Sequence, residues 1–344
     1  MIFCYTKMFI TANLMGGLGN QLFQIFVTIA HSMKINYDVI FAYSGILTTG
    51  KTRNTYWNNF LSSLLKYTTI NPDNELTNQD VDKFLIYREQ GFQYSNIPFF
   101  TNKNVKLYGY FQSYKYFEEP SVFNKICDMI DLRNQQNDVK FVYKDFFPDE
   151  TRIISMHFRL GDYKFIQEHH PVMPYEYYDN AITNILIYTR NLHKSFTPLN
   201  NSIHTADELS TKLPVTDLKI APLLGVDSNL HRYKYQVNYF CEKEDNTFVL
   251  DIIKRLEVKY NIVKFVKVDD DIEDWQQLLL MSCCHDNIIA NSSFSWWGAY
   301  FNNTENKTVC YPYIWFGPAN NSNVTDLFPN TWVKVSFYTS EDLK

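Results

Sequence analysis

Short apolar runs alternate with amphipathic stretches along most of the chain. Residues 8–15 form an apolar run of strand length that closes in Gly16-Gly17-Leu18-Gly19-Asn20. After it, Leu22, Ile25, Phe26 and Ile29 fall at i, i+3, i+4 and i+7, which predicts a helix over 21–31. Residues 38–43 read as a second strand followed by a polar loop, and residues 60–90 as short helices. Residues 106–111 (KLYGYF) read as a strand leading into Gln112-Ser113. A polar break at 147–150 precedes a buried strand over 152–158 and a helix over 174–188, which opens on a proline as first helical turns allow. Residues 193–246 are polar and Asn-rich and read as an irregular insertion. Beyond it come a helix over 272–284, a strand over 287–290, a loop over 292–295, a helix over 296–301 and a strand over 308–311. Alternating strands and helices on both sides of the break predict an α/β protein of two facing Rossmann-like domains, 1–148 and 149–344.

Composition narrows the classes. At 344 residues the chain has room for two domains with their own cores, so no disulfide or metal staple is needed. Apolar residues at 45% and charged residues at 20% exclude a disordered chain and a coiled coil. A formal net charge of −5 gives no basic footprint for nucleic acid. The six cysteines include no CxxC pair and read as reduced, buried thiols. No apolar run nears the roughly 18 residues of a membrane span, and the apolar N-terminus lacks a charged n-region and a cleavage site. The expectation is a soluble, cytoplasmic protein, in which the sequons at Asn200, Asn302, Asn306, Asn320 and Asn323 carry little weight.

Three segments carry candidate chemistry. Glycine is scarce, 11 in all, yet three fall within positions 16–19 between a strand and a helix. Such a turn lets a ligand approach the backbone, and the helix start offers N–H groups to an anion. Without a glycine or alanine at Leu22 it is a weak dinucleotide fingerprint, and a tight structural turn explains it as well. The second segment is His157-Phe158-Arg159-Leu160-Gly161-Asp162-Tyr163, at the C-terminal end of a predicted strand, where open α/β sheets bind ligands. Arg159 fits a diphosphate through its fork of donors, and Asp162 is placed to orient it or accept a proton; the plain alternative is a surface ion pair. The third is Asn291-Ser292-Ser293-Phe294-Ser295-Trp296-Trp297-Gly298, either an anion nest or a helix capped by Ser293 or Ser295 over buried tryptophans.

Two further patterns are weaker. Gly45–Thr52 spells GxxxxGKT after a strand, but the following residues are poor helix formers, so a P-loop nucleotide hydrolase is a remote alternative. Asp269-Asp270-Asp271 suits a divalent cation by ligand type, yet reads better as a solvated turn before a helix.

Together, GGLGNQLFQ (16–24), HFRLGDY (157–163) and NIIANSSFSWWGAYFN (287–302) resemble glycosyltransferase family 11, the α-1,2-fucosyltransferases. PYEYYDNAI (174–182) is similar to a helix of the same family, and Leu107–Tyr110 to its GYFQS strand. The resemblance implies a GT-B fold and inverting transfer from GDP-fucose to a galactose-type glycan hydroxyl, with no metal or other cofactor. By matching positions, Gly17, Gly19 and Asn20 would shape the loop near the donor phosphates and fucose. Arg159 would hold the diphosphate, His157 would touch the nucleotide side, and Ser293, Phe294 and Ser295 would receive the β-phosphate, with Asn291 and Ser292 in the same donor-binding set. Asp162 is the first and Glu168 the second candidate for a base. Eukaryotic relatives are Golgi membrane proteins. Three departures stand out: Leu160 replaces the second arginine of HxRRGD, a stretch of the FSDD type is not recognisable near Asn246–Asp251, and 193–246 has no counterpart. They leave open another sugar nucleotide, or a glycan-binding relative without catalysis.

Overall fold

A computed structural model describes residues 7–195 and 235–337. The chain opens with β1 (Phe9–Ala12), α1 (Leu18–Ile35) and β2 (Asp38–Val39). Next come β3 (Ile46–Leu47) and β4 (Arg53–Asn54), a tight helical turn over Ser62–Tyr67, α2 (Asn78–Asp82), β5 (Leu85–Arg88) and β6 (Val105–Tyr108). Two helices, α3 (Pro120–Met129) and α4 (Leu132–Val142), lead into β7 (Arg152–His157), α5 (Tyr175–Ser195), β8 (Tyr235–Phe240), α6 (Asn246–Lys259) and β9 (Val263–Lys267). The chain continues through α7 (Asp274–Ser282), β10 (Asp286–Ile288), α8 (Ser293–Tyr300), β11 (Val309–Pro312) and β12 (Val333–Val335).

Two parallel sheets result. The first has the order β2-β1-β6-β5 and the second β12-β11-β10-β7-β8-β9. Read from the other edge, the second sheet is a doubly wound 3-2-1-4-5-6 array, whose order reverses between β7 and β10. The first sheet reverses between β1 and β6. Arg152 makes a two-pronged ion pair with the buried Asp286 at 2.6 and 2.8 Å, which ties the starts of β7 and β10 together at the reversal. The expected α/β plan of two facing Rossmann-like halves is the plan observed.

Several elements depart from the sequence reading. Residues 235–240, read as part of an irregular insertion, form a buried strand; residues 196–234 lie outside the described residues. Its pattern was masked by polar interior positions: Gln236 donates to Asn238 at 2.8 Å, and both donate to the Phe146 carbonyl. Hydrogen bonding of that kind removes most of the penalty for burying amides. Residues 85–88, read as helical, are the edge strand β5, mostly exposed and so without a period-2 signature. The GxxxxGKT segment is a hairpin, with Ile46 opposite Asn54 and Leu47 opposite Arg53, and no helix follows Lys51; the P-loop reading fails on that geometry.

One apolar core crosses between the halves. Phe23 and Phe26 of α1 meet Trp296 and Trp297 of α8 with ring centroids 4.5 Å apart in both pairs, and Phe117 stacks on Trp297 at 5.4 Å. A second core lies between α5 and the larger sheet, around Met156, Tyr177, Tyr178 and Val237. The described cysteines, Cys127, Cys241, Cys283, Cys284 and Cys310, are unpaired thiols. No helix among the described residues is long and apolar enough to cross a membrane.

Candidate active site

A cleft of about 1110 Å³ opens where the C-terminal strand ends of both sheets face each other, at both reversal points. The first half contributes Gly17 to Asn20 after β1, Tyr110 and Gln112 after β6, and Thr52 to Asn54 from the hairpin. The second half contributes His157 at the end of β7, Arg159, Asp162 and Tyr163 after it, residues 241–244 after β8, and Asn291 to Phe294 after β10.

The glycine loop is held by the helix that follows it. Gln24, fully buried, accepts from Met15 N–H at 2.9 Å and donates to the Met15 carbonyl, while Gln21 donates to the carbonyls of Gly16 and Asn54. The two glutamines of GGLGNQLFQ thus clamp the loop and the hairpin. Gly17 is the N-cap of α1, and a Cβ added there would meet nothing within 4 Å. At Gly19 a Cβ would lie 2.4 Å from the Ser293 backbone carbon, so this glycine lets α1 press onto the start of α8. Asn20 Oδ1 accepts from Gln112 Nε2 and from Ser293 Oγ, both at 2.7 Å, joining three motifs in one contact.

Arg159 leaves the end of β7 between two carboxylates: it binds Glu242, and Asp162 at 2.5 Å, with its guanidinium 4.9 Å from the centre of the Tyr163 ring. Burial opposes its charge, but Glu242, Tyr163 and Asp162 outweigh it, so the guanidinium stays protonated. Gly161 adopts a left-handed conformation (φ +43°), and a Cβ on it would come within 2.8 Å of Glu242. Buried Asp245 fixes the loop by accepting from Gly161 N–H at 2.8 Å and from the Lys164 ammonium. Leu160, at the expected second arginine, is buried in the α5 core with Phe158, so that position sends no charge into the cleft. His157 is buried; desolvation, aided by Arg159, lowers its pKa to about 3, and its Nδ1 has no partner within the protein.

The third motif is a capped helix start at the cleft wall. The N-cap is Ser292 rather than Ser293 or Ser295; its Oγ accepts from Phe294 N–H at 3.3 Å. The first-turn N–H groups of Ser293 and Ser295 have no intrahelical acceptor. Ser293 and Phe294 line the cleft, whereas Ser295 is buried behind them and bonds back to the Ala290 and Ser292 carbonyls. Asn291 spans from the cleft wall to the carbonyls of Pro171 and Trp315. Both tryptophans are fully buried, so half of the motif serves the inter-domain core.

Glu168 lies apart from this group. It is exposed, does not line the cleft, and offers its carbonyl to Ala319 N–H at 2.8 Å. Asp269 to Asp271 form the turn before α7; Asp270 is bound by Lys267 and Asn246, which outweigh burial and hold its carboxyl below the usual range. Sequence reasoning missed Glu242, Asp245 and the pairing of Tyr56 with Asp274 across the cleft. The signal for the first two was present: FCEKED at 240–245 is an acid-rich run directly after a strand, at the place where an FSDD-type stretch was sought a few residues too late.

Residues 244–336 match the family model of Glycosyl transferase family 11. The O-antigen biosynthesis glycosyltransferase WbnK of Escherichia coli is 26% identical over 248 residues, 69% of this chain and 65% of the relative. An alpha-1,2-colitosyltransferase of Escherichia coli is 28% identical over 175 residues, 44% of this chain and 58% of the relative. The matches therefore span less than two-thirds of either relative's length. Among solved structures, the fucosyltransferase NodZ from Bradyrhizobium is similar with a TM-score of 0.37 at 9% identity, over 85% of this chain and 92% of that one. Through residues 244–336 the chain is thus similar to Glycosyl transferase family 11, the family that its motifs also resemble.

Proposed function

We propose that this protein is an inverting glycosyltransferase that moves fucose from GDP-fucose to a hydroxyl of a galactose-type glycan, without a metal. The observation that carries the reading is the meeting of Arg159 with the start of α8 in one cleft at the strand ends. In the reaction the C1–O bond to the β-phosphate breaks and its electron pair leaves with GDP. The acceptor oxygen bonds C1 from the opposite face, and its proton passes to a base. Arg159 and the N–H group of Ser293 stabilise the charge that grows on the leaving diphosphate. Glu242 holds the guanidinium in place until the diphosphate arrives. Asp162 orients Arg159 through one oxygen and takes the acceptor proton through the other. Neutral His157 supplies its unpartnered Nδ1 to the nucleotide side.

A second reading concerns the donor sugar alone. One relative is named a colitosyltransferase, and Leu160 removes a charge that the fucosyltransferase pattern contains. A colitose-bearing sugar nucleotide would use the same phosphate contacts. Incubation in EDTA with lactose and either GDP-fucose or the colitose nucleotide, followed by NMR of the product, tests both. Fucosylated lactose with inverted anomeric configuration supports the proposal. Transfer from the colitose nucleotide alone replaces the donor, and absence of transfer from either without added metal contradicts the mechanism.

A further inference from the structure

A second concavity, about 620 Å³, lies between residues 90–95 of the first half and 319–323 of the second. It opens into the cleft, with which it shares Phe92, Asn320 and Ser322. The two differ sharply in charge. The cleft wall carries Arg159, Arg53, Lys243 and several carboxylates, whereas the groove wall contains no Asp, Glu, Lys or Arg among the described residues. It is made of amides, hydroxyls and aromatic rings, with the His169 imidazole among them.

The chemistry of that wall fits an uncharged polyhydroxylated ligand. Asn320 and Asn323 use their side-chain oxygens on Ser322 N–H and Thr325 N–H, which leaves the NH2 ends as donors. Ser95 Oγ is buried without a partner. A charged ligand would lose hydration here and gain no counter-charge, while a sugar offers hydroxyls to the amides and a C–H face to the rings. A line of rings then leads inward. Phe92 meets Phe316 at 5.1 Å, Phe316 meets His170 at 5.4 Å, and His170 stacks on Tyr163 at 4.6 Å, the ring that lies against Arg159. The lips are pinned together: the Asp326 carboxylate accepts from Tyr94 N–H at 3.1 Å and from Lys115 at 2.5 Å, and its carbonyl accepts from Ser113. Such preorganisation lowers the ordering cost of binding.

We infer that this groove is the acceptor subsite, that it takes an uncharged saccharide, and that its ring-lined passage directs the reacting hydroxyl towards Arg159. The inference rests on the transferase reading above. The test compares wild type, Asn323→Ala and Gln93→Ala, which line the groove and not the cleft, with GDP titrated separately and with lactose and its sialylated form as acceptors of GDP-fucose. The expected result is a rise of about tenfold or more in KM for lactose, with kcat and GDP affinity within about twofold of wild type, and with sialyl-lactose the poorer substrate. Unchanged KM in both variants, preference for the charged acceptor, or GDP binding without use of lactose overturns the groove assignment alone. Failure of the wild type to bind GDP instead removes the transferase reading beneath it.

Discussion

At the scale of single residues, Arg159 bears the largest share of the chemistry proposed here. Its guanidinium is held by Glu242 and Asp162 before any ligand arrives, so it is positioned as well as charged. Replacing it with alanine removes a donor aimed at the leaving group, which typically costs about 3 kcal/mol of transition-state stabilisation, or roughly a hundredfold in kcat. Steady-state kinetics checks this, and a rate within a few-fold of wild type would contradict the role. Two glycines make a steric contrast. Gly19→Ala drives a Cβ into the Ser293 backbone, with an expected loss of about 1–3 kcal/mol and a melting temperature lower by a few degrees. Gly17→Ala meets nothing and should melt like wild type. Equal melting of the two variants would sink this account of the loop. The motif was legible in the sequence as a turn near a ligand; that one of its glycines serves helix packing was not, because Ser293 lies 274 positions downstream of Gly19 by numbering and only the fold joins them.

At the scale of elements, the buried histidines tie stability to pH. His157 at the end of β7 has its pKa lowered to about 3 and His31 in α1 to about 4, chiefly by burial. Between those values and the unfolded value of about 6.5 the unfolded chain binds protons that the folded one does not, so stability rises with pH. Each histidine should then cost about 2 kcal/mol on going from neutral pH to pH 5. Thermal melts across this range should show a steep acid side, flattened in His31→Gln; identical pH profiles would rule out that contribution. Loop geometry at the site hangs on Asp245, whose carboxylate holds Gly161 and Lys164. Asp245→Ala should lower GDP affinity by roughly tenfold, since a mispositioned Arg159 loses its aim; calorimetric titration measures this, and unchanged affinity would contradict it. The acid-rich run that contains this anchor was in the sequence, but the strand before it was not read as one, because β8 carries Gln and Asn inward and breaks the apolar alternation by which strands are read. The strands β1 and β7, with mostly apolar runs, were plain.

At the scale of the whole molecule, the two halves share a core, with α1 and α8 pressed together through Phe23, Phe26, Trp296 and Trp297. The halves should therefore unfold in one calorimetric transition, and Phe26→Ala should destabilise both together by about 3–5 kcal/mol. Two separated transitions would contradict a shared core. Alternating elements made the α/β plan legible, but the sharing was not: the paired tryptophans of the third motif read equally as site or core until α1 was seen against them. The central claim is that Arg159 and the start of α8 together receive the diphosphate of a guanine sugar nucleotide. Isothermal titration of GDP, UDP and ATP in EDTA, with wild type and Arg159→Ala, tests it most directly. The account predicts GDP binding selective over the other two and weakened at least about tenfold by the substitution. Equal binding of all three nucleotides, or GDP binding untouched by loss of Arg159, would contradict it.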